Sequence, residues 1–256
     1  MSDAELPLHA MDPVGRFTNR ARDYAHYRPD YPREAFAAMI AGLGAPHVLL
    51  AADVGAGTGI ASRQLAASGP RVIAIEPNAA MRAAAAHHAR VSWQQGSAEA
   101  TGLPDASVDL VLAAQAFHWF RQPEALAEFQ RVLRFQGRLA LLWNNRDHAD
   151  PLTRGYIEAI HAVGGEHPAE QRAFDPDVIH GVGRFTPARV LTFPHAQRLD
   201  LEGLIGRASS ASYVPREGDR LAELRERLRA VFERHRGPDG AVAMRYVTHL
   251  YLAERA

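Results

Sequence analysis

The sequence predicts an α/β fold built on a doubly wound, mostly parallel sheet with helices on both faces. Three observations predict it. Apolar runs of strand length alternate with helix-like segments between residues 48 and 143. Those runs are continuous rather than alternately polar and apolar, as in strands covered on both faces. A glycine-rich turn, Asp53-Val-Gly-Ala-Gly-Thr-Gly59, joins the first run to the first helix of that region. Open sheets of this kind bind ligands at the carboxyl ends of their strands, where the strand order reverses.

Each element follows from local pattern. Residues 16–33 are dense in Arg and Tyr and carry two Pro, too irregular for one long helix. Residues 33–43 read as a short helix stopped by Gly42 and Gly44. Residues 48–54 form the first buried strand, and 59–67 a helix stopped by Gly69. Residues 71–76 are the second strand. Asn78 is an N-cap for an Ala-rich helix over 79–89. Further strands fall at 91–95, 108–115 and 137–143, and Pro123 opens the helix between the last two. After Asp150 the alternation breaks into a helix-like stretch and a Gly/Pro/His-rich one, to residue 185. Residues 188–200 return to strand character, with Pro194 indicating a bulge or an edge. An amphipathic helix at 219–236 and a strand from 243 close the chain.

Composition narrows the chemistry. The chain has 256 residues, 29 basic and 29 acidic, and every basic residue is Arg. With no Cys there is no disulfide, thiolate nucleophile, Fe–S cluster or cysteine zinc site. With no Lys there is no Schiff base and no Walker-type phosphate lysine. A formal charge of zero supplies no bulk field toward nucleic acid or anionic membrane. No apolar run is long enough to span a membrane, and the first residues lack the pattern of a signal peptide. A cytoplasmic protein, monomer or homodimer, is expected, with neither nucleic acid nor membrane as partner. His87 and His88 lack metal-ligand spacing, and no metal is expected.

The glycine turn is the most informative stretch. Gly55 and Gly57 let backbone approach a ligand, and Gly59 allows close helix–strand packing. The helix it opens presents unpaired N–H groups. Dinucleotide sites use G-x-G-x-x-G, whereas this run is G-x-G-x-G with Asp53 two residues upstream. The second strand ends in Glu76, 23 residues after Asp53. An acidic residue at about that distance hydrogen-bonds ribose hydroxyls.

The stretch DVGAGTG followed by AIEPNAAM resembles the cofactor motifs of class I S-adenosylmethionine-dependent methyltransferases of the type 11 kind. GSAEATGLPDASVDLV (96–111), AAQAFHWF (113–120) and FQRVLRFQGRLALLWNN (129–145) continue the match in order. RARDYAHYRPDYP (20–32) is similar to the lead-in of the small-molecule branch that includes trans-aconitate methyltransferase-like proteins. The resemblance implies a Rossmann-like seven-stranded sheet with an antiparallel last strand and a small helical cap. It implies S-adenosyl-L-methionine as cofactor and S-adenosyl-L-homocysteine as product. Asp53, Gly55, Ala56, Gly57 and Gly59 would then line the methionine half. Glu76 would hold the ribose, with Pro77 and Asn78 beside it and Met81 near the adenine. Ser97, Ala98 and Glu99 would bracket the adenine edge, and Gln115 would lie under the sulfonium. Tyr24, Tyr27 and Arg28 would form a lid over cofactor and acceptor, with Tyr24 and Arg28 among the cofactor-binding residues and Tyr27 a candidate catalytic residue. Met81 can equally face the core, and Glu99 can cap the next turn.

On the acceptor side, His118 is either a general base or a satisfied polar neighbour of packed aromatics. His118, Trp119, Trp143, Asn144, Arg146 and Tyr213 are candidate substrate-binding residues, with Ser209, Ser210 and Ser212 beside Tyr213. Arg146 is a candidate for binding an acceptor carboxylate and for the catalytic set. The expected division is a lid at 1–32, a cofactor-binding core at 33–150, a cap insertion over the acceptor at 151–186, and completion of the sheet by 187–256. The expected reaction is in-line methyl transfer to a small molecule, as O-methylation of a carboxylate or hydroxyl, or as C-methylation. The alternatives are an RNA or protein methyltransferase and a nicotinamide-dependent Rossmann oxidoreductase.

Overall fold

The computed structural model describes residues 15–165, 174–181, 183–211, 214 and 217–256. Seven strands form one sheet: β1 (Leu50–Val54), β2 (Arg71–Ile75), β3 (Val91–Gln94), β4 (Val108–Ala114), β5 (Leu133–Arg146), β6 (Arg189–Leu199) and β7 (Val242–Glu254). Their order is β3-β2-β1-β4-β5-β7-β6. The pairs from β3 to β5 are parallel; β7 runs antiparallel to both β5 and β6. The strand order therefore reverses between β1 and β4, and the expected ligand edge lies above that gap.

The helices in chain order are α1 (Ala21–Tyr27), α2 (Arg33–Ile40), α3 (Ile60–Ala67), α4 (Ala79–Ala83), α5 (Gln122–Val132), α6 (Pro151–Gly164), α7 (Asp177–Gly181), α8 (Leu201–Ser209) and α9 (Asp219–His235). None of the described helices is long and apolar enough to cross a membrane.

Alternation along the strands builds two cores. Ala52, Val54, Val111, Ala113, Leu139 and Leu141 pack toward Leu126, Phe129 and Val132 of α5. Their neighbours Ala51, Leu110, Leu112, Ala140 and Leu142 pack on the other face, against Phe36 and Met39 of α2 and Leu65 of α3. A third cluster joins α6, α8 and α9 to Val242, Met244 and Tyr246 of β7. Buried Arg138 on β5 unites three elements. Its Nη1 donates to the carbonyls of Met39 (2.9 Å) and Ala41 (2.8 Å) at the end of α2, and its Nε to Glu254 Oε1 (3.0 Å) on β7. A helix end that would otherwise be unsatisfied is thereby capped by a paired charge.

Where the sequence reading and the structure differ, tertiary contact explains it. The Ala-rich helix expected over 79–89 stops at Ala83, although Asn78 Oδ1 caps it as expected, accepting from the amides of Ala80 and Met81. Met81 is its one buried residue, and a short helix without a packed face is marginal whatever its Ala content. The strand expected at 137–143 extends over 133–146: Leu133 pairs with Val108, the residues up to Gly137 bulge out through Gln136 (φ 61°), and the ladder resumes at Arg138 and runs along β7 to Arg146. Pro194 lies on the edge strand β6 with an unbroken register to β7, so it marks an edge rather than a bulge.

Residues 15–31 cross the carboxyl edge of the sheet and are fastened by side chain to backbone bonds. Gln64 on α3 bonds both ways with Tyr31, accepting from its N–H (3.0 Å) and donating to its carbonyl (2.8 Å). Asn144 Nδ2 donates to Asp30 O (2.8 Å), and Gln197 Nε2 to Tyr27 O (2.9 Å). The Tyr27 ring lies flat on Gly206 of α8, where a Cβ would stand 2.4 Å from its Cζ. Glycine is normally the poorer residue in a helix by about 1 kcal/mol relative to alanine. Here the contact reverses the sign: Gly206→Ala is expected to lower stability by about 1–3 kcal/mol, read as a fall of roughly 2–8 °C in Tm. A raised Tm would refute the docking of α1 on α8.

Candidate active site

A cavity of about 470 Å³ opens at the carboxyl ends of β1, β2 and β4. The glycine turn forms one wall. Gly55, Gly57 and Gly59 all adopt left-handed φ (70°, 58° and 74°), which only glycine takes without strain. A Cβ on Gly55 would stand 2.8 Å from Ala116 Cβ, and one on Gly57 would stand 3.3 Å from Met81 Cε. Gly55, Ala56 and Gly57 line the cavity; Gly59 does not, and packs against the Trp93 ring at the start of α3.

Two buried carboxylates sit at the ends of adjacent strands. Glu76 Oε2 accepts from Gly57 N (2.9 Å), and its Oε1 accepts from Asn78 N (2.8 Å). The side chain thus ties the glycine turn to the β2–α4 turn while lining the cavity. Asp53 on β1 is only 1% exposed, and its Oδ2 accepts from Ser62 Oγ. Its Oδ1 has no partner. Burial pushes the Asp53 carboxyl up to about 7; the Ser62 hydroxyl opposes the shift and the negative Glu76 adds to it. Burial also raises Glu76, against the pull of the Asn78 and Gly57 amides and of Arg82.

The remaining walls come from several elements. Met81, Pro77 and Asn78 line the β2–α4 side, and Ser97, Ala98 and Glu99 the loop after β3. Gln115, at the end of β4, has φ 54°, and its Nε2 donates to Asn144 O (3.0 Å), joining the ends of β4 and β5. Such left-handed residues other than glycine concentrate at functional sites. Trp119, Phe120 and Arg121 close the side after β4, and Tyr24, Arg28, Pro29 and Tyr31 form the roof. The Arg28 guanidinium lies 4.7 Å from the centre of the Tyr24 ring, and its Nη2 donates to Ser210 O (3.3 Å).

Several residues singled out in the sequence stand elsewhere. His118 is outside the cavity, and its Nδ1 accepts from the Trp143 indole (3.2 Å). That bond places the ring proton on Nε2 when the imidazole is neutral. Trp143 stacks on Phe174, with centroids 4.8 Å apart. Asn144 is spent on structure, donating to Asp30 O and accepting from Thr248 Oγ1 (2.6 Å). Arg146 lies over the Tyr156 ring, 5.1 Å from its centre. Tyr27 faces Gly206. No described residue of 151–186 lines the cavity. Ser212 and Tyr213 fall outside the described residues. In the other direction, Tyr31, Thr58, Phe120 and above all Arg207 line the cavity without having been singled out. Tyr31 and Phe120 lay inside quoted motifs; Arg207 carries no local signal, since only the docking of α8 brings it to the wall.

The comparisons with known proteins agree with this geometry. Residues 52–141 match the Methyltransf_11 methyltransferase domain. An uncharacterized methyltransferase-like protein of Schizosaccharomyces pombe is 32% identical over 204 residues, 77% of this chain and 78% of that one. A protein of Anabaena variabilis assigned as a methyltransferase of an antibiotic biosynthesis pathway superposes with a TM-score of 0.61 at 25% identity, covering 90% of this chain and 98% of that one. A protein of Anaeromyxobacter dehalogenans assigned as a type II methyltransferase gives 0.58 at 28% identity, covering 90% and 97%. With the fold, the glycine turn and the paired carboxylates in place, the chain belongs to the class I S-adenosylmethionine-dependent methyltransferases.

Proposed function

We propose that the cavity binds S-adenosyl-L-methionine along the ends of β1 and β2, and that the methyl group passes to a small-molecule acceptor. The observation that carries the reading is the carboxylate pair. Asp53 Oδ1 is buried, without a partner, in a residue that lines the cavity, and so would accept from the ammonium of a methionine moiety. Glu76 is held two amides deep at the end of β2, with lone pairs left for ribose hydroxyls. Gly57 leaves the side-chain space beside Met81 and Tyr24 empty, so that backbone meets ligand. Met81 and Ala98 would flank the adenine, with Ser97, Glu99, Pro77 and Asn78 around it.

The cofactor supplies a methyl group already activated on a sulfonium, so the protein needs no nucleophile of its own. The chain's part is to position and to exclude water. Tyr24, Arg28 and Tyr31 roof the cavity, and Trp119 and Phe120 close its side. Their rings suit a cationic centre, and Gln115 holds the β4 end rigid beneath it. We assign the lid role to residues 15–32 on the same ground. A small acceptor fits a roofed cavity of about 470 Å³, and the zero formal charge gives no reason to expect a phosphate backbone. His118, Tyr27 and Arg146 need not act: an acceptor that is already an anion requires no base.

Calorimetry with S-adenosyl-L-homocysteine tests the reading. The wild type is expected to bind it and to bind NADH far more weakly; the reverse order would refute the proposal. Glu76→Ala is expected to weaken S-adenosyl-L-homocysteine by roughly 10–100-fold, since hydrogen bonds to a charged group contribute about 1.5–3 kcal/mol. Unchanged affinity would remove Glu76 from the site.

The Asp53 carboxyl, raised to about 7, adds a pH dependence. The ionised form binds the ammonium, so affinity is expected to rise with pH up to about 7 and then level off, changing by up to about tenfold per unit below it. Stability of the empty protein runs the other way: it is greatest below the ordinary Asp range and falls as pH rises toward 7, because folding then buries a charge. Asp53→Asn is expected to flatten both profiles in titrations from pH 5 to 9.

A further inference from the structure

The described buried charges are paired, with one exception on the acceptor side. Arg138 has Glu254 and two carbonyls. Glu128 accepts from Thr101 N and Oγ1 and from Arg131. Asp53 and Glu76 belong to the proposed cofactor half. Arg207 remains. It lies near the end of α8, 4% exposed, at the cavity wall. Its Nε and Nη1 have no hydrogen-bond partner, and no ion pair with a carboxylate is recorded for it among the described residues. The groups that act on it are Tyr246, which also shares a side-chain hydrogen bond with it, Tyr156 and Arg146: two hydroxyls and a second cation, with no carboxylate among them.

A guanidinium cannot shed its proton to relieve such burial. An unpaired charge in an apolar interior is costly, and persists where something else supplies the counter-charge. The cavity carries both signs of charge. Asp53 and Glu76 stand at the β1 and β2 ends, Arg28 follows α1 and Arg207 lies on α8, and Asp53 and the two arginines all act on the buried Tyr31 hydroxyl. The neighbours of Arg207 belong to the β5–β7 side: Arg146 ends β5, Tyr246 is on β7 and Tyr156 on α6. Gln115 at the end of β4 lies between the two halves in strand order. A cofactor seated over β1 and β2 would therefore leave the β5–β7 side, where Arg207 stands, for the acceptor.

We propose that Arg207 is a specificity-determining residue that binds an oxyanion of the methyl acceptor, a carboxylate or a phosphate, so that the enzyme selects anionic small molecules. The inference rests on the cofactor reading above. It concerns recognition and leaves open which acceptor atom is methylated.

The test uses the full chain saturated with S-adenosyl-L-homocysteine. Benzoate, succinate, octanoate and phenyl phosphate are titrated, with benzamide, succinamide and octanamide as neutral counterparts, into wild type, Arg207→Met and Arg207→Lys. At least one anion is expected to bind the wild type, and about tenfold or more tighter than it binds Arg207→Met. Its neutral counterpart should bind both alike, and Arg207→Lys should fall between. Phenyl phosphate against the carboxylates distinguishes the two oxyanions. A loss of S-adenosyl-L-homocysteine binding in Arg207→Met would assign the guanidinium to the cofactor and overturn the inference. So would amides binding as the acids do, or no anion preferring wild type over Arg207→Met. Failure of the wild type to bind S-adenosyl-L-homocysteine would instead overturn the cofactor reading, and this inference with it.

Discussion

The Glu76 carboxylate holds the site together. One oxygen accepts from Gly57 and the other from Asn78, so a single side chain fixes the glycine turn after β1 against the turn after β2. Parallel strands end in loops that have no ladder of their own, and their amides must find partners elsewhere. Here the partner is a buried charge, and the resulting bonds are charge-assisted. The turn can then keep three left-handed glycines in register and leave Asp53 Oδ1 without a partner beside it. Stability and readiness for a ligand are in tension at this point, since both carboxyls are raised by burial.

The roof of the cavity is organised differently. It is assembled from segments far apart in the chain, held by polar side chains that reach backbone. Asn144, Gln64 and Gln197 fasten residues 27–31 from three different elements. Arg28 and Arg207 reach the same cavity from α1's end and from α8. Such a roof is set by a few hydrogen bonds of about 1 kcal/mol each. It can vary without disturbing the sheet, as expected of a fold that keeps one cofactor site and changes the acceptor.

The contrast between Arg138 and Arg207 carries a general point. Both are nearly buried arginines in a chain without lysine. Arg138 joins α2, β5 and β7 by satisfying two carbonyls and a carboxylate. Arg207 joins nothing through Nε and Nη1. Burial alone does not say how far a charge is satisfied; the inventory of acceptors around it does.

The sequence by itself determined the strands, their order of appearance and the edge of the sheet where the cavity opens. Each depends on local pattern: continuous apolar runs, a glycine turn, an acidic residue one strand later. His118, Asn144 and Arg146 looked equally plausible because they follow strand ends, which is a statement about the chain and not about where a side chain turns. Only the tertiary structure decided that Asn144 is consumed by Asp30 and Thr248, that His118 meets Trp143, and that Arg146 lies on Tyr156. Only it brought Arg207 to the cavity. The physical reason is that a backbone pattern is written in neighbours along the chain, whereas the partners of a buried side chain are set by what surrounds it in space.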